Sequence, residues 1–116
     1  GRAYTMTGNG SGGFTLVGQA TSTITSIYGV PAMCAGDSDG DGRDEIVCGF
    51  RGKGFQLSIY QATDAKGEAW RKQVLDDGGI AAADCVIDDF TGDGRRDIAC
   101  IGASTGNLKL YENVGR

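Results

Sequence analysis

Two acidic loops, 37–45 and 89–97, contain the residues whose types and spacing could bind a metal ion. In each loop, residues that can offer oxygen stand at positions 1, 3, 5 and 9, glycine stands at position 6, and position 7 would contribute only its backbone carbonyl. Alternate residues of a tight loop can direct several oxygens at one hard cation, and Ca²⁺ takes six to eight such ligands. The candidate ligands are Asp37, Asp39, Asp41, Arg43, Glu45, Asp89, Thr91, Asp93, Arg95 and Asp97.

Calcium fits these loops better than the alternatives. Mg²⁺ demands near-ideal octahedral geometry, and an EF-hand needs a bidentate glutamate at position 12, where Cys48 and Cys100 stand instead. The remaining alternative is a solvated acidic turn, which is common at hairpins. Nine of the fifteen acidic residues lie in or beside the two loops, and two Ca²⁺ ions would bring the net charge of −4 to zero. We therefore expect two calcium sites, the weaker one in the second loop, where Thr91 replaces a carboxylate.

Composition excludes several other classes of function. The net charge of −4 and a pI near 4.6 argue against a nucleic-acid partner, since phosphate binding needs clustered basic residues. The absence of histidine removes the commonest general base and zinc ligand. Asp76 and Asp77 could act as an acid–base pair on a glycosidic bond, but an Asp-Asp-Gly-Gly sequence is typical of a solvated turn. We therefore expect no enzyme. We also expect no membrane span, because no apolar run approaches about 18 residues.

Short apolar strands flank both loops, and the two loops begin 52 residues apart. Four short strands in a repeat of about 50 residues are typical of a β-propeller blade. The sequence thus predicts an all-β protein with about two blades of four-stranded antiparallel sheet. Its divisions are a partial blade or strand-exchange segment at 1–30, a blade at 31–78, and a second blade at 79–116 that lacks its outer strand.

The segments 37–47 and 89–99, each followed by a glycine turn and a strand that ends near tyrosine, resemble FG-GAP/VCBS repeats. This resemblance implies an integrin-like or fungal-lectin type of β-propeller, with calcium in the hairpin between the first two strands of each blade. It further implies an extracellular or secreted protein that acts in adhesion, through a carbohydrate or an extracellular protein. A lectin would use aromatic side chains between blades, and the candidates are Tyr60, Trp70 and Tyr111. Aromatic residues on strands are also common packing residues.

The four cysteines, Cys34, Cys48, Cys85 and Cys100, flank the loops, and four cysteines allow three pairings. A simple hairpin would place Cys34 opposite Cys48, whereas Cys85 and Cys100 would need a one-residue bulge to meet. We expect disulfides, with buried free thiols as the alternative. Asn9 begins the sequence Asn-Gly-Ser, an acceptor for N-glycosylation.

Two blades are fewer than the four to eight that close a propeller. Several chains that complete a ring, or a longer tandem array, would cover the exposed sheet edges and faces. The segment 3–7 could add in trans to the second blade as its outer strand, and such head-to-tail exchange gives a homo-oligomeric ring or a filament. The alternative function is accordingly a structural subunit of an extracellular filament or surface assembly.

Overall fold

The computed structural model describes residues 3–8, 14–20 and 32–115, and within them the chain is all-β, as the sequence predicts. These residues include no helix that could cross a membrane. Asn9 lies outside the described residues. The strands in these ranges are β1 (Ala3–Gly8), β2 (Phe14–Ala20), β3 (Ala32–Gly36), β4 (Glu45–Phe50), β5 (Gln56–Ala62), β6 (Trp70–Asp77), β7 (Ala82–Asp88), β8 (Asp97–Gly102) and β9 (Leu108–Tyr111).

The strands form antiparallel sheets that follow chain order. β1 pairs with β2, β3 to β6 form a four-stranded sheet, and β7 to β9 form a three-stranded sheet in which β9 lies at the edge. The described residues do not form a closed propeller ring. The all-β class and the two larger antiparallel sheets are the part of the fold prediction that is confirmed. β1 covers the segment expected to exchange in trans, and it pairs with β2 of its own chain. Exchange between chains stays a prediction.

The four-stranded and three-stranded sheets pack face to face around one shared core. The fully buried side chains include Val47 and Leu57 from the first sheet and Ile80, which precedes β7. Alternation along each strand places one face of each sheet in this interface. β3 and β4 lie closest to β7, where Gly49 packs against Ala82.

A second, smaller core lies on the opposite face of the four-stranded sheet. It contains Cys48, Tyr60 and Trp70, and Ile46 packs partly against it. The Trp70 indole Nε1 donates to the carbonyl oxygen of Gly67 at 2.8 Å, so the polar edge of this ring is satisfied where the ring is buried.

Strand register decides which cysteines meet. Cys85 lies directly opposite Cys100, and the two form a disulfide without a bulge between them. Cys34 lies opposite Val47, so the expected disulfide between Cys34 and Cys48 is wrong, and both are free thiols. Each hairpin ladder starts one residue earlier than the loop spacing predicts, with Gly36 opposite Glu45 and Asp88 opposite Asp97. A shift of one residue moves a side chain to the other face of the sheet, and Cys34 and Cys48 accordingly pack in different cores.

Candidate metal centre

The first acidic loop is organised around the carboxylate of Asp37. Its Oδ1 accepts from the backbone N–H of Gly40 at 2.7 Å, and its Oδ2 accepts from that of Gly42 at 3.0 Å. Both glycines have positive φ, 79° and 85°, a conformation that glycine adopts without the steric cost of a Cβ. The glycines at positions 4 and 6 thus turn the chain around the position-1 carboxylate.

Glu45 closes the loop from its other end. It is only 3% exposed, and its Oε2 accepts from the N–H and hydroxyl of Ser38, at 2.8 and 2.6 Å, and from the N–H of Asp39 at 3.3 Å. A buried carboxylate is tolerated when such bonds replace its hydration. Register holds Glu45 opposite Gly36 at the start of β4, so the sheet itself fixes the position of this group.

Asp37, Asp39 and Glu45 each place a carboxylate oxygen within 4.8 Å of the others. Oxygens bound to one Ca²⁺ at about 2.3–2.6 Å lie within roughly 5 Å of each other, so the spacing suits a single ion. All three donors are hard oxygens, which favour Ca²⁺ or Mg²⁺ over the softer transition metals. The chemistry and spacing of this donor set therefore fit a hard divalent cation.

The second loop repeats the backbone arrangement of the first. Asp89 accepts from Gly92 at 2.7 Å and from Gly94 at 2.9 Å, as Asp37 does from its two glycines. Asp97 is fully buried, and its Oδ2 accepts from the N–H groups of Phe90 and Thr91, both at 3.1 Å. The two loops are thus built on the same hydrogen-bond plan.

The loops differ in how the carboxylate at position 9 is used. Asp97 also accepts from the Thr91 hydroxyl at 3.2 Å, and its Oδ1 accepts from the backbone N–H of Asn113 at 2.8 Å. The bond from Asn113, followed by those from Thr91 and Phe90, lowers the pKa of Asp97. Among the described residues, the close grouping of three carboxylates occurs in the first loop and not in the second.

The carboxylates at position 5 bind arginine in both loops. Asp41 pairs with Arg43 at 2.9 Å, and Asp93 pairs with Arg95. The bond from the Arg43 side chain lowers the pKa of Asp41. Asp41 therefore binds a neighbouring guanidinium instead of joining the three-carboxylate group of its loop, and Asp93 binds arginine in the same way in the second loop.

No protein-family model, curated protein or solved structure matches the chain. The resemblance to FG-GAP/VCBS repeats therefore depends on the loop motifs and stays a prediction.

An open cleft of about 1000 Å³ lies between the two sheets, with the acidic loops on its rim. The side chains of Gln61, Arg71 and Gln73 line one wall, and Ile98 and Tyr111 line the other. Arg71 donates to Gln61, which in turn donates to Asp39. This chain of hydrogen bonds connects the polar wall of the cleft to the candidate metal centre.

The three aromatic residues predicted to contact a ligand are placed differently from one another. Tyr60 and Trp70 are only 1% and 9% exposed and lie in the smaller core, so both are packing residues. Burial raises the pKa of Tyr60 to about 12. Tyr111 lines the cleft and donates its hydroxyl to Asp76 at 2.8 Å. Burial and this bond raise the pKa of Tyr111. Only Tyr111 of the three lies where a ligand in the cleft could reach it.

Asp76 joins the two sheets through a small polar network. Its Oδ2 accepts from Lys109 at 2.7 Å as well as from Tyr111, and its Oδ1 accepts from the N–H of Gly79 at 2.6 Å. Burial opposes ionisation of Asp76, but the bonds from Lys109, Tyr111 and Gly79 outweigh it and lower its pKa. Asp77 is exposed beside it.

The roles of Asp76 and Asn113 are not predicted by the sequence. The partners of Asp76 lie 33 and 35 residues further along the chain, and Asn113 contacts a residue 75 positions away. No spacing within a repeat signals contacts of this kind.

Proposed function

We propose that this chain is an extracellular, calcium-binding β-sheet module of the FG-GAP/VCBS propeller type that acts in adhesion or carbohydrate binding. The observation that supports it best is the group formed by Asp37, Asp39 and Glu45, which a hard cation would neutralise. The carboxylates of these three residues lie close together, and a bound cation would offset the repulsion between their like charges.

The bound ion would stabilise the loops at the rim of the cleft. Asp37 and Glu45 already hold the loop backbone through hydrogen bonds, and a cation would in addition connect their carboxylates to that of Asp39. The disulfide between Cys85 and Cys100 agrees with an oxidising, extracellular setting.

The ligand site of this module is the cleft between the sheets. Saccharide hydroxyls pair with amide, guanidinium and carboxylate groups, and Gln61, Arg71 and Gln73 supply the first two kinds. Tyr111 supplies an aromatic ring on the facing wall. A carbohydrate in the cleft would lie next to the cation-bound loop, so binding of the sugar is expected to depend on calcium.

Calcium binding is tested by titrating the metal alone into metal-free protein in a calorimeter. Wild type is expected to bind calcium, and chelation is expected to lower its melting temperature, because a ligand that binds only the folded state stabilises it. Glu45→Gln should weaken calcium binding at least about tenfold, since it removes a charge from the ion's own ligands. Asp44→Asn removes the same charge from an exposed residue of the same loop outside the group, and should change the affinity by less than about threefold. Equal effects of the two variants would contradict a site at these ligands.

Carbohydrate binding is tested on a glycan array with and without calcium. Arg71→Ala should abolish any signal, because its guanidinium lines the cleft, whereas Arg51→Ala removes an exposed arginine remote from the lining residues and should keep it. A calcium-loaded wild type that binds no glycan would overturn the carbohydrate proposal and leave calcium binding intact.

An open apolar face supports a second candidate, a subunit that assembles with further copies of itself. The outer face of β7 to β9 exposes Val86, Ile101, Leu108 and Leu110 by 50 to 72%. Strand register makes Leu108 and Leu110 equivalent to Leu57 and Ile59 of the first sheet, which pack into the core between the sheets. We propose that another copy's four-stranded sheet covers this surface with the exposed part of its outer face, beside the smaller core, where Met33 and Val74 are 61% and 44% exposed.

The oligomeric state in solution tests this assembly. Wild type should form dimers or longer species in light scattering, and Leu110→Lys or Met33→Lys should each give a monomer. A mixture of the two variants should form a heterodimer, because one intact pair of faces remains. A monomeric wild type would overturn the proposal.

A further inference from the structure

Asn113, which follows β9, contacts both acidic loops. Its side-chain Nδ2 donates to the carbonyl oxygen of Ser38 in the first loop at 2.7 Å and to that of Arg96 in the second loop at 3.4 Å. Asn113 and Ser38 are 75 positions apart in the sequence: Asn113 follows the last strand of the three-stranded sheet, and Ser38 lies in the acidic loop of the four-stranded sheet. The side chain therefore forms a direct bridge between the two candidate cation sites.

The second loop holds the backbone of Asn113 on both sides. The Asn113 N–H donates to Oδ1 of Asp97 at 2.8 Å, and its carbonyl oxygen accepts from Nε of Arg95 at 2.7 Å. Asp97 and Arg95 occupy positions 9 and 7 of that loop. A cation that ordered the second loop would therefore also order the residue that reaches across to the first.

The first loop passes the contact on to its carboxylate group. Ser38 accepts from Asn113 through its carbonyl, and its own N–H and hydroxyl donate to Oε2 of Glu45. Glu45 is one of the three residues whose oxygens gather within 4.8 Å. The hydrogen bonds thus form a continuous path from Asp97 through Asn113 and Ser38 to Glu45.

We infer that Asn113 is a positioning residue that couples the two loops, so that a cation in the second loop raises the affinity of the first for calcium. The inference rests on the proposed calcium binding. Coupling between binding sites is reciprocal, and typical values correspond to about 5- to 150-fold in affinity. Direct repulsion between two bound cations acts in the opposite sense, so the contribution of Asn113 has to be separated from it.

A double-mutant cycle separates the two effects. Asp89→Asn weakens calcium binding by the second loop. Asn113→Ala removes the side-chain bridge to Ser38, while the backbone hydrogen bonds of residue 113 remain possible. The affinity of the first loop for calcium alone is measured by NMR from the amide signals of Gly40 and Gly42, and those of Gly92 and Gly94 report the second loop. The electrostatic effect of Asp89→Asn is shared by both backgrounds, so the difference between them isolates Asn113.

Asp89→Asn is expected to weaken the affinity of the first loop for calcium when Asn113 is present. This weakening should be at least about fivefold greater than the effect of Asp89→Asn in the Asn113→Ala background. The side chain in Asn113→Asp cannot donate to Ser38, so this variant should show the same loss of coupling as Asn113→Ala. Agreement between the two variants would show that the loss does not come from a folding defect in one of them. Asn107→Ala removes a different long-range side-chain bond, to the carbonyl oxygen of Gly79 at 2.9 Å, and should leave the coupling unchanged.

The outcomes distinguish the coupling from calcium binding itself. If calcium shifts the glycine signals but Asp89→Asn has the same effect in both backgrounds, the coupling is overturned and the metal sites stand. If calcium shifts none of these signals in wild type, both proposals are overturned.

Discussion

Gly49 of β4 lies against Ala82 of β7, so closely that a Cβ on Gly49 would stand 2.5 Å from the Ala82 Cβ. The backbone of Gly49 does not have positive φ, so it is close packing between the sheets that favours glycine at this position. β3 and β4 approach β7 at this point, and the shared core forms around it.

Gly49→Ala is expected to lower the free energy of unfolding by about 1–3 kcal/mol, because an added methyl overpacks this contact. Gly49→Ala combined with Ala82→Gly moves the methyl to the other strand and should recover most of the loss. Urea unfolding of the two single variants and the double variant measures the effect. Strictly additive losses would show that the two positions do not share one contact.

Asp76→Asn tests the polar network between β6 and β9. At neutral pH it should cost about 1–3 kcal/mol, because Lys109 and Tyr111 lose a charged acceptor. The pKa of Asp76 is lowered from 3.8, so the stability it contributes is fully present above about pH 4 and is lost as pH falls through the lower folded-state value. The difference in the free energy of unfolding between wild type and Asp76→Asn should therefore decrease as the pH is lowered.

Urea unfolding from about pH 7 to about pH 2.5 measures this difference. Asp77→Asn is the matched control, since it alters the neighbouring exposed carboxylate and should change stability little at any pH. A difference for Asp76→Asn that stays constant down to the lowest pH would contradict the network.

Removal of the disulfide between Cys85 and Cys100 should destabilise the chain by about 3 kcal/mol, the loss expected when a loop of 15 residues is freed in the unfolded state. The double variant Cys85→Ala/Cys100→Ala should melt at a lower temperature than wild type, and reductant should lower the melting temperature of wild type alone. A reductant effect that persists in the double variant would place the disulfide elsewhere.

The two free thiols should react slowly in the folded protein. Burial raises the pKa of Cys34 and of Cys48 to about 11, and the negative charge of Asp84 contributes at Cys34. A thiol reagent at about pH 8 meets little thiolate there. Denaturation without reductant should release two reactive thiols per chain, and denaturation with reductant should release four. Fast reaction of the folded protein would contradict their burial.

The sequence predicts the loops and strands because their signals are local. Glycines at positions 4 and 6 and carboxylates at alternating positions determine how each loop folds, and short alternating apolar segments determine the strands. Register is less local: a hairpin that starts one residue earlier exchanges the faces of every side chain, and the pairing of Cys34 therefore could not be obtained from spacing.

Contacts between the sheets were the part that could not be predicted. The bonds from Lys109 and Tyr111 to Asp76, and from Asn113 to Ser38, depend on how the two sheets pack and not on local sequence. Burial of Tyr60 and Trp70 likewise depends on the face that each presents, which register decides.

The close approach at Gly49 also limits what can cover the open face of β7 to β9. By strand register the second sheet carries Ile101 where the first has Gly49, and Asp88 where the first has Gly36. A sheet laid on that face meets a branched side chain and a carboxylate at the two points where the existing pair of sheets meets only hydrogen. A further copy that covers this face, as proposed, is therefore expected to lie further from it at these two points than the two sheets of one chain lie from each other.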